Sequence, residues 1–230
     1  MKDERVNKIK ISYILNWIII ALCIFAFIIM FTGIKITPLK EPILETTKFG
    51  AFRFFTVDSN LLMGISALIF VIKERKVLAN KIKKIPKWCY ILKFMATVSV
   101  SLTMLVVFLY LSKIAEGGLL SLLQNSNLFF HFIIPFLSIV TFVLFEKTKE
   151  IKLSYVACGL IPVLLYGIGY VINILNHFES GKVLPKYDWY YFAQNGVKGM
   201  YYTAIGIFIF TFIISLILWL LNNEKIFKKV

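Results

Sequence analysis

Apolar residues run along this chain in long stretches, not in alternation. Six stretches of roughly twenty residues stand at about 11–33, 51–73, 88–112, 128–145, 153–175 and 199–221. Each is long enough to cross a bilayer as a helix. Continuous runs without period-2 alternation favour helices over a membrane barrel, because hydrocarbon offers no partner to an unpaired backbone group. The expected fold class is all-α: one polytopic membrane domain over residues 1–230 with six transmembrane helices. The connecting segments are too short for a soluble domain, and no repeat or low-complexity tract interrupts them. Pro135 and Pro162 fall inside the fourth and fifth stretches and predict kinks, which can open a cavity.

Composition agrees with this pattern. The chain is 59% hydrophobic and 17% charged, with a mean hydropathy of +0.81. Soluble domains are about 45–50% apolar and about 25% charged. The first stretch is too long for a signal-peptide core, and Leu22 before Cys23 is too large for a lipoprotein cleavage site, so an uncleaved anchor is expected. Cys23, Cys89 and Cys158 lie in three different stretches without C-x-x-C spacing. They read as small buried hydrophobes, not a disulfide framework or metal site.

The formal net charge is +14. In a soluble protein that would suggest nucleic acid. Here the lysines sit between apolar stretches, where positive charge sets topology, so no nucleic-acid partner is expected. With both termini on one side, that side collects 17 Lys and Arg against 7 on the other. Arg53 and Lys93 belong to the spans themselves. Both termini are therefore expected in the cytoplasm, in the plasma (inner) membrane of a bacterium. The run from Lys73 to Lys87 reads as topological, with anionic lipid headgroups as a secondary partner. Lys93 stands near the start of its span, close enough to snorkel to the interface. His177 falls in a loop and reads as solvated. The aromatic segment around Trp189 and Tyr190 falls at the outer interface.

Two polar intrusions carry the candidate chemistry. The first is Arg53-Phe54-Phe55-Thr56-Val57-Asp58-Ser59-Asn60 near the start of the second span. The second is His131 near the start of the fourth, preceded by Asn127. Ionisable residues inside a membrane are functional candidates by default. Both intrusions lie roughly 5–9 Å below the same boundary at helical rise. At roughly 100° per residue, Arg53, Thr56 and Asn60 share one face and Asp58 points away from it. Ser59 flanks the stripe.

Two readings fit these residues. In one, Thr56 is a nucleophile, His131 takes its proton, and Arg53, Asn60 or Asn127 supply oxyanion or carboxylate contacts. In the other, the polar side chains hold helices together or form the site of a non-enzymatic protein that binds or transports a small solute or lipid. No phosphate loop, zinc signature or calcium loop is present, so no cofactor and no metal are expected. Oligomeric state is left open.

Three segments carry a family resemblance. Phe55-Thr56-Val57-Asp58-Ser59-Asn60-Leu61-Leu62 resembles the F-T-x-x-S-N-L-L stretch of Pr6Pr-type bacterial membrane proteins. Asn127 through His131 to Pro135 is similar to their N-x-x-x-H-x-x-x-P stretch. Trp189-Tyr190-Tyr191-Phe192 resembles their aromatic outer segment, without its prolines. That group distantly resembles the FAR-17a/AIG (androgen-induced) family, which contains intramembrane threonine hydrolases of fatty-acid esters of hydroxy fatty acids. The resemblance implies Thr56 and His131 as a catalytic pair. It also implies an acyl-ester substrate drawn laterally from the membrane lipids. Asp58, Ser59, Trp189 and Tyr190 would be secondary contributors.

Overall fold

The computed structural model describes residues 2–37, 48–179, 182–184, 186–193 and 196–223. Within them six helices are long and apolar enough to cross a membrane: Glu4–Thr32, Phe55–Leu78, Lys87–Ile114, Ser126–Phe145, Leu153–Asn176 and Gly196–Asn222. They are called here the first to sixth spans. The only sheet among the described residues is a two-residue antiparallel pair, Phe178–Glu179 with Lys182–Val183. The all-α fold with six spans is thus the one expected. The loop prolines Pro38 and Pro42 and the basic tail beyond Asn223 lie outside the described residues.

The boundaries differ from the hydropathy pattern in a way that matters later. The polar N-terminal residues join the first helix, which stops at Gly33. There the backbone turns left-handed (φ 69°) and the Gly33 N–H closes the last turn on the Ile29 carbonyl, a conformation a side chain would resist. The second span starts later than expected, at Phe55, and runs on through Lys73, Glu74 and Arg75 to Leu78. Charges that looked like loop residues therefore ride on a helix.

Both intramembrane prolines fall at changes of helical type. Pro135 stands at the start of the α-helical segment Ile134–Val140, after a π-helical turn over Phe129–Ile133. Pro162 opens Ile161–Asn176 after a 3-10 stretch over Leu153–Leu160. A proline has no N–H to give to the preceding turn, so the hydrogen-bond register changes there. Gly159 lies in that 3-10 stretch because the sixth span comes very close. A Cβ at Gly159 would meet Ser215 Oγ at 2.4 Å.

Side chains sort by exposure as a bilayer requires. One apolar core joins the first four spans around Ile19, Met63, Ala67 and Phe130. A second joins the third to the fifth and sixth around Phe94, Phe142 and Ile214. Large apolar residues such as Ile24, Ile28, Leu165 and Ile209 face outward, as expected where the surroundings are lipid. Cys23 and Cys89 are buried and Cys158 is half-buried, all three as free thiols. His177 is not simply solvated. Its ring stacks on Tyr187 at 3.5 Å, and Nδ1 lies 2.8 Å from the Asn173 carbonyl.

Candidate functional site

The start of the second span is set by a residue far along the chain. Phe54 is extended and offers no capping side chain to the helix that begins at Phe55. The free Phe55 N–H donates instead to the Tyr190 hydroxyl at 2.9 Å, satisfying one of the orphan donors of a helix start. Tyr166 of the fifth span donates its hydroxyl to the Arg53 carbonyl at 2.5 Å, and Trp189 Nε1 donates to the Tyr166 hydroxyl at 3.0 Å.

Asp188 anchors that loop. It is buried, and its carboxylate accepts from the Phe192 and Ala193 N–H groups, both at 2.9 Å, and from the Tyr170 hydroxyl. Burial, with Tyr166 beside it, holds the Tyr190 phenol well above its ordinary pKa, so it stays neutral. Trp189 and Tyr190, expected only at a membrane interface, thus shape the mouth of the second span. Their partners Asp188, Tyr166 and Tyr170 were not foreseen. The signal was the i, i+4 spacing of the two tyrosines, which puts both on one helix face.

The extended Phe54 also corrects the polar stripe. Arg53 ends a 3-10 turn over Lys48–Arg53 and precedes the helix. Helical phase therefore does not carry from Thr56 back to Arg53. The Arg53 guanidinium lies exposed at the rim, 4.9 Å from the Phe54 ring centre and 6.0 Å from that of Trp189. Asp58 does point away from Thr56. It borders a cleft of about 240 Å³ against Pro162 and Tyr166, between the second and fifth spans. That cleft opens on the Asp58 side of the helix.

Asn60 brings the second and fourth spans together. It is completely buried, and its amide nitrogen donates to the Thr56 carbonyl at 2.8 Å and the Phe130 carbonyl at 3.1 Å. Two carbonyl acceptors fix which end of the amide is nitrogen. Both amide hydrogens are committed, so Asn60 is not placed to donate to an oxyanion. It presents Oδ1 instead, buried and without a hydrogen-bond partner among the described residues. The Ser59 hydroxyl is likewise committed, to the Thr56 carbonyl at 2.9 Å.

His131, one residue beyond that carbonyl, lies buried in the π-helical turn. Its Nδ1 stands 2.8 Å from the carbonyl of Leu122, the last residue of the short helix Gly118–Leu122. A carbonyl only accepts, so Nδ1 carries the proton and Nε2 is left as the acceptor. Asn127 is half-buried one turn earlier, its N–H on the Gln124 carbonyl at 2.8 Å. The neighbouring Asn125 accepts the Ile36 N–H at 2.9 Å, tying this corner to the end of the first span. Thr56 is half-buried, and no hydrogen bond joins it to His131.

The two intrusions therefore meet through Asn60 and the Phe130 carbonyl, with Thr56 and His131 one step to either side. Arg53 and Asp58 stand apart from them. Compared with family models, curated proteins and solved structures, the chain finds no match.

Proposed function

We propose that this is an intramembrane hydrolase of lipid esters in which Thr56 is the nucleophile and His131 the general base. The observation that carries the proposal is the His131 tautomer. The Leu122 carbonyl holds Nδ1–H, leaving Nε2 with the lone pair a base needs, in a buried position next to the residue Asn60 grips. Nε2 would take the Thr56 hydroxyl proton as the oxygen attacks the ester carbonyl. His131 would then return it to the leaving alcohol, and water would release the acyl group by the same route. The Thr56–His131 hydrogen bond would form once an ester is seated. The resemblance to Pr6Pr-type and FAR-17a/AIG proteins supports the same pair. The excess of lysine on the side of both termini supports a cytoplasmic placement for them, with Thr56 toward the outer leaflet of a bacterial inner membrane.

The test is labelling of the folded protein by a fluorophosphonate probe. Wild type should label, and Thr56→Ala and His131→Ala should not. Undiminished labelling in both variants, or none in folded wild type, overturns the dyad. A second reading, a carrier or binding site for a small solute or lipid, is favoured by the unpartnered Asn60 Oδ1. That atom can accept a hydrogen bond from a bound hydroxyl or amine. A carrier should move solute into liposomes and tolerate Thr56→Ser.

A further inference from the structure

The opposite end of the bundle holds a second polar cluster. Asn60 and Glu74 lie on one helix, about 21 Å apart along its axis, so this cluster is separate from Thr56. Lys93 of the third span is completely buried and does not snorkel outward. Asn16 of the first span, Glu74 of the second and Glu146 at the end of the fourth are buried with it.

The hydrogen bonds are unevenly shared. Lys93 Nζ donates to Asn16 Oδ1 at 2.5 Å and stands 3.7 Å from Glu146 Oε1. Glu146 Oε1 also accepts from Asn16 Nδ2 at 2.8 Å and Ser12 Oγ at 3.3 Å. The remaining Asn16 amide hydrogen goes to the Ser12 carbonyl at 3.0 Å. Asn222 of the sixth span donates to the Glu146 backbone carbonyl at 3.0 Å. The Ser12 and Asn16 hydrogens go to Glu146 and to the Ser12 backbone, while both side chains also stand near Glu74. Among the described residues, both Glu74 carboxylate oxygens and Glu146 Oε2 are buried without a hydrogen-bond partner. The groups facing Glu74 are Ser12 and Asn16 of the first span, Lys93 of the third and Glu146. Tyr90 of the third span lies in the field of both carboxylates.

Charge balance then decides what the cluster needs. One ammonium and two carboxylates leave a net −1 in a dry interior, where an uncompensated charge is not tolerated. An alkali cation needs a shell of oxygens to replace its water. Here Glu146 Oε1 and Asn16 Oδ1 are already taken by Asn16, Ser12 and Lys93. A proton needs one oxygen. We propose that Glu74 holds one exchangeable proton, making this end of the bundle a proton-binding site facing Lys93. The inference stands apart from the ester-hydrolase reading, since no residue is shared.

The experiment is infrared difference spectroscopy of the full chain in lipid nanodiscs at neutral pH, in sodium-free choline buffer. The probe is proton–deuteron exchange of the carboxyl stretch. Wild type minus Glu74→Gln should show one protonated, exchangeable carboxyl. Lys93→Met removes the balancing ammonium, so the cluster must take up a second proton and the band should about double. Loss of the wild-type band when sodium replaces choline at fixed pH overturns the proposal in favour of an alkali ion. So does a band unchanged in both variants. Because the two substitutions move the signal in opposite directions, misfolding of one leaves the other to decide.

Discussion

Both polar clusters are built from residues that a bilayer penalises, and they answer the penalty in opposite ways. At the Thr56 end, neutral side chains close backbone groups. Asn60 serves the Thr56 and Phe130 carbonyls, His131 that of Leu122, Tyr166 that of Arg53, and Tyr190 the Phe55 N–H. At the Lys93 end, charged side chains close on one another. Among the described residues the first arrangement leaves the Thr56 hydroxyl and His131 Nε2, the proposed reacting atoms, uncommitted, while the fold is held by their neighbours. The second commits most donors to balancing charge, and removing one member exposes the rest. An end that can lose its chemistry without losing its fold is the better place to look for a reaction.

The widest separation between the two ends comes from Thr56→Ala. On the proposed hydrolase reading this removes the nucleophile and should lower turnover on the order of 10⁴-fold or more. Thermal unfolding in detergent should stay where it was, because no structural bond depends on that hydroxyl. A large drop in melting temperature would make Thr56 structural and erase the contrast. Lys93→Met should do the reverse. It removes the ammonium that balances the buried carboxylates, so the fold must hold a further proton in its place, read as a lower melting temperature.

Asn60→Leu is intermediate. It removes the donor to the Phe130 carbonyl and should cost about 1–3 kcal/mol, measured by denaturation. It should also weaken probe labelling, if Asn60 sets the distance between the two spans. Tyr190→Phe is the mildest, about 0.5–1.5 kcal/mol for one hydrogen bond. In wild type the fold as a whole should lose stability with alkali. Tyr190 keeps its proton in the fold at pH values where an unfolded chain has lost it, so stability falls as pH rises past about 10. Limited proteolysis of the loop that carries Tyr190 across that range would record the change.

Much of the fold was legible because apolar runs report membrane crossing directly, whatever packs against them. The polar residues were legible one span at a time. Thr56, Asn60 and His131 stood out because they interrupt apolar sequence, and Asp58 was correctly turned away by helical phase. Arg53 was misplaced because phase counting assumes an unbroken helix, and the extended Phe54 breaks it. The Lys93 cluster was missed for a different reason. Glu74 and Glu146 sit at span ends among lysines, where a charge normally meets water. Only the apposition of four spans turns them inward. Asn16, a few residues into the first apolar run, was the one local sign of it.

The bond from Phe55 to Tyr190 has a consequence for how the protein is made. The two residues are 135 positions apart. A ribosome delivers the second span into the membrane long before the loop that caps it exists. Until the chain has grown past the fifth span, the turn bearing Thr56 lacks its Tyr190 contact. A nascent chain halted before Asp188 should therefore insert its early helices normally and still hold an immature Thr56 region. Maturation of that region is timed by the last third of translation, not by the insertion of the helix that carries it.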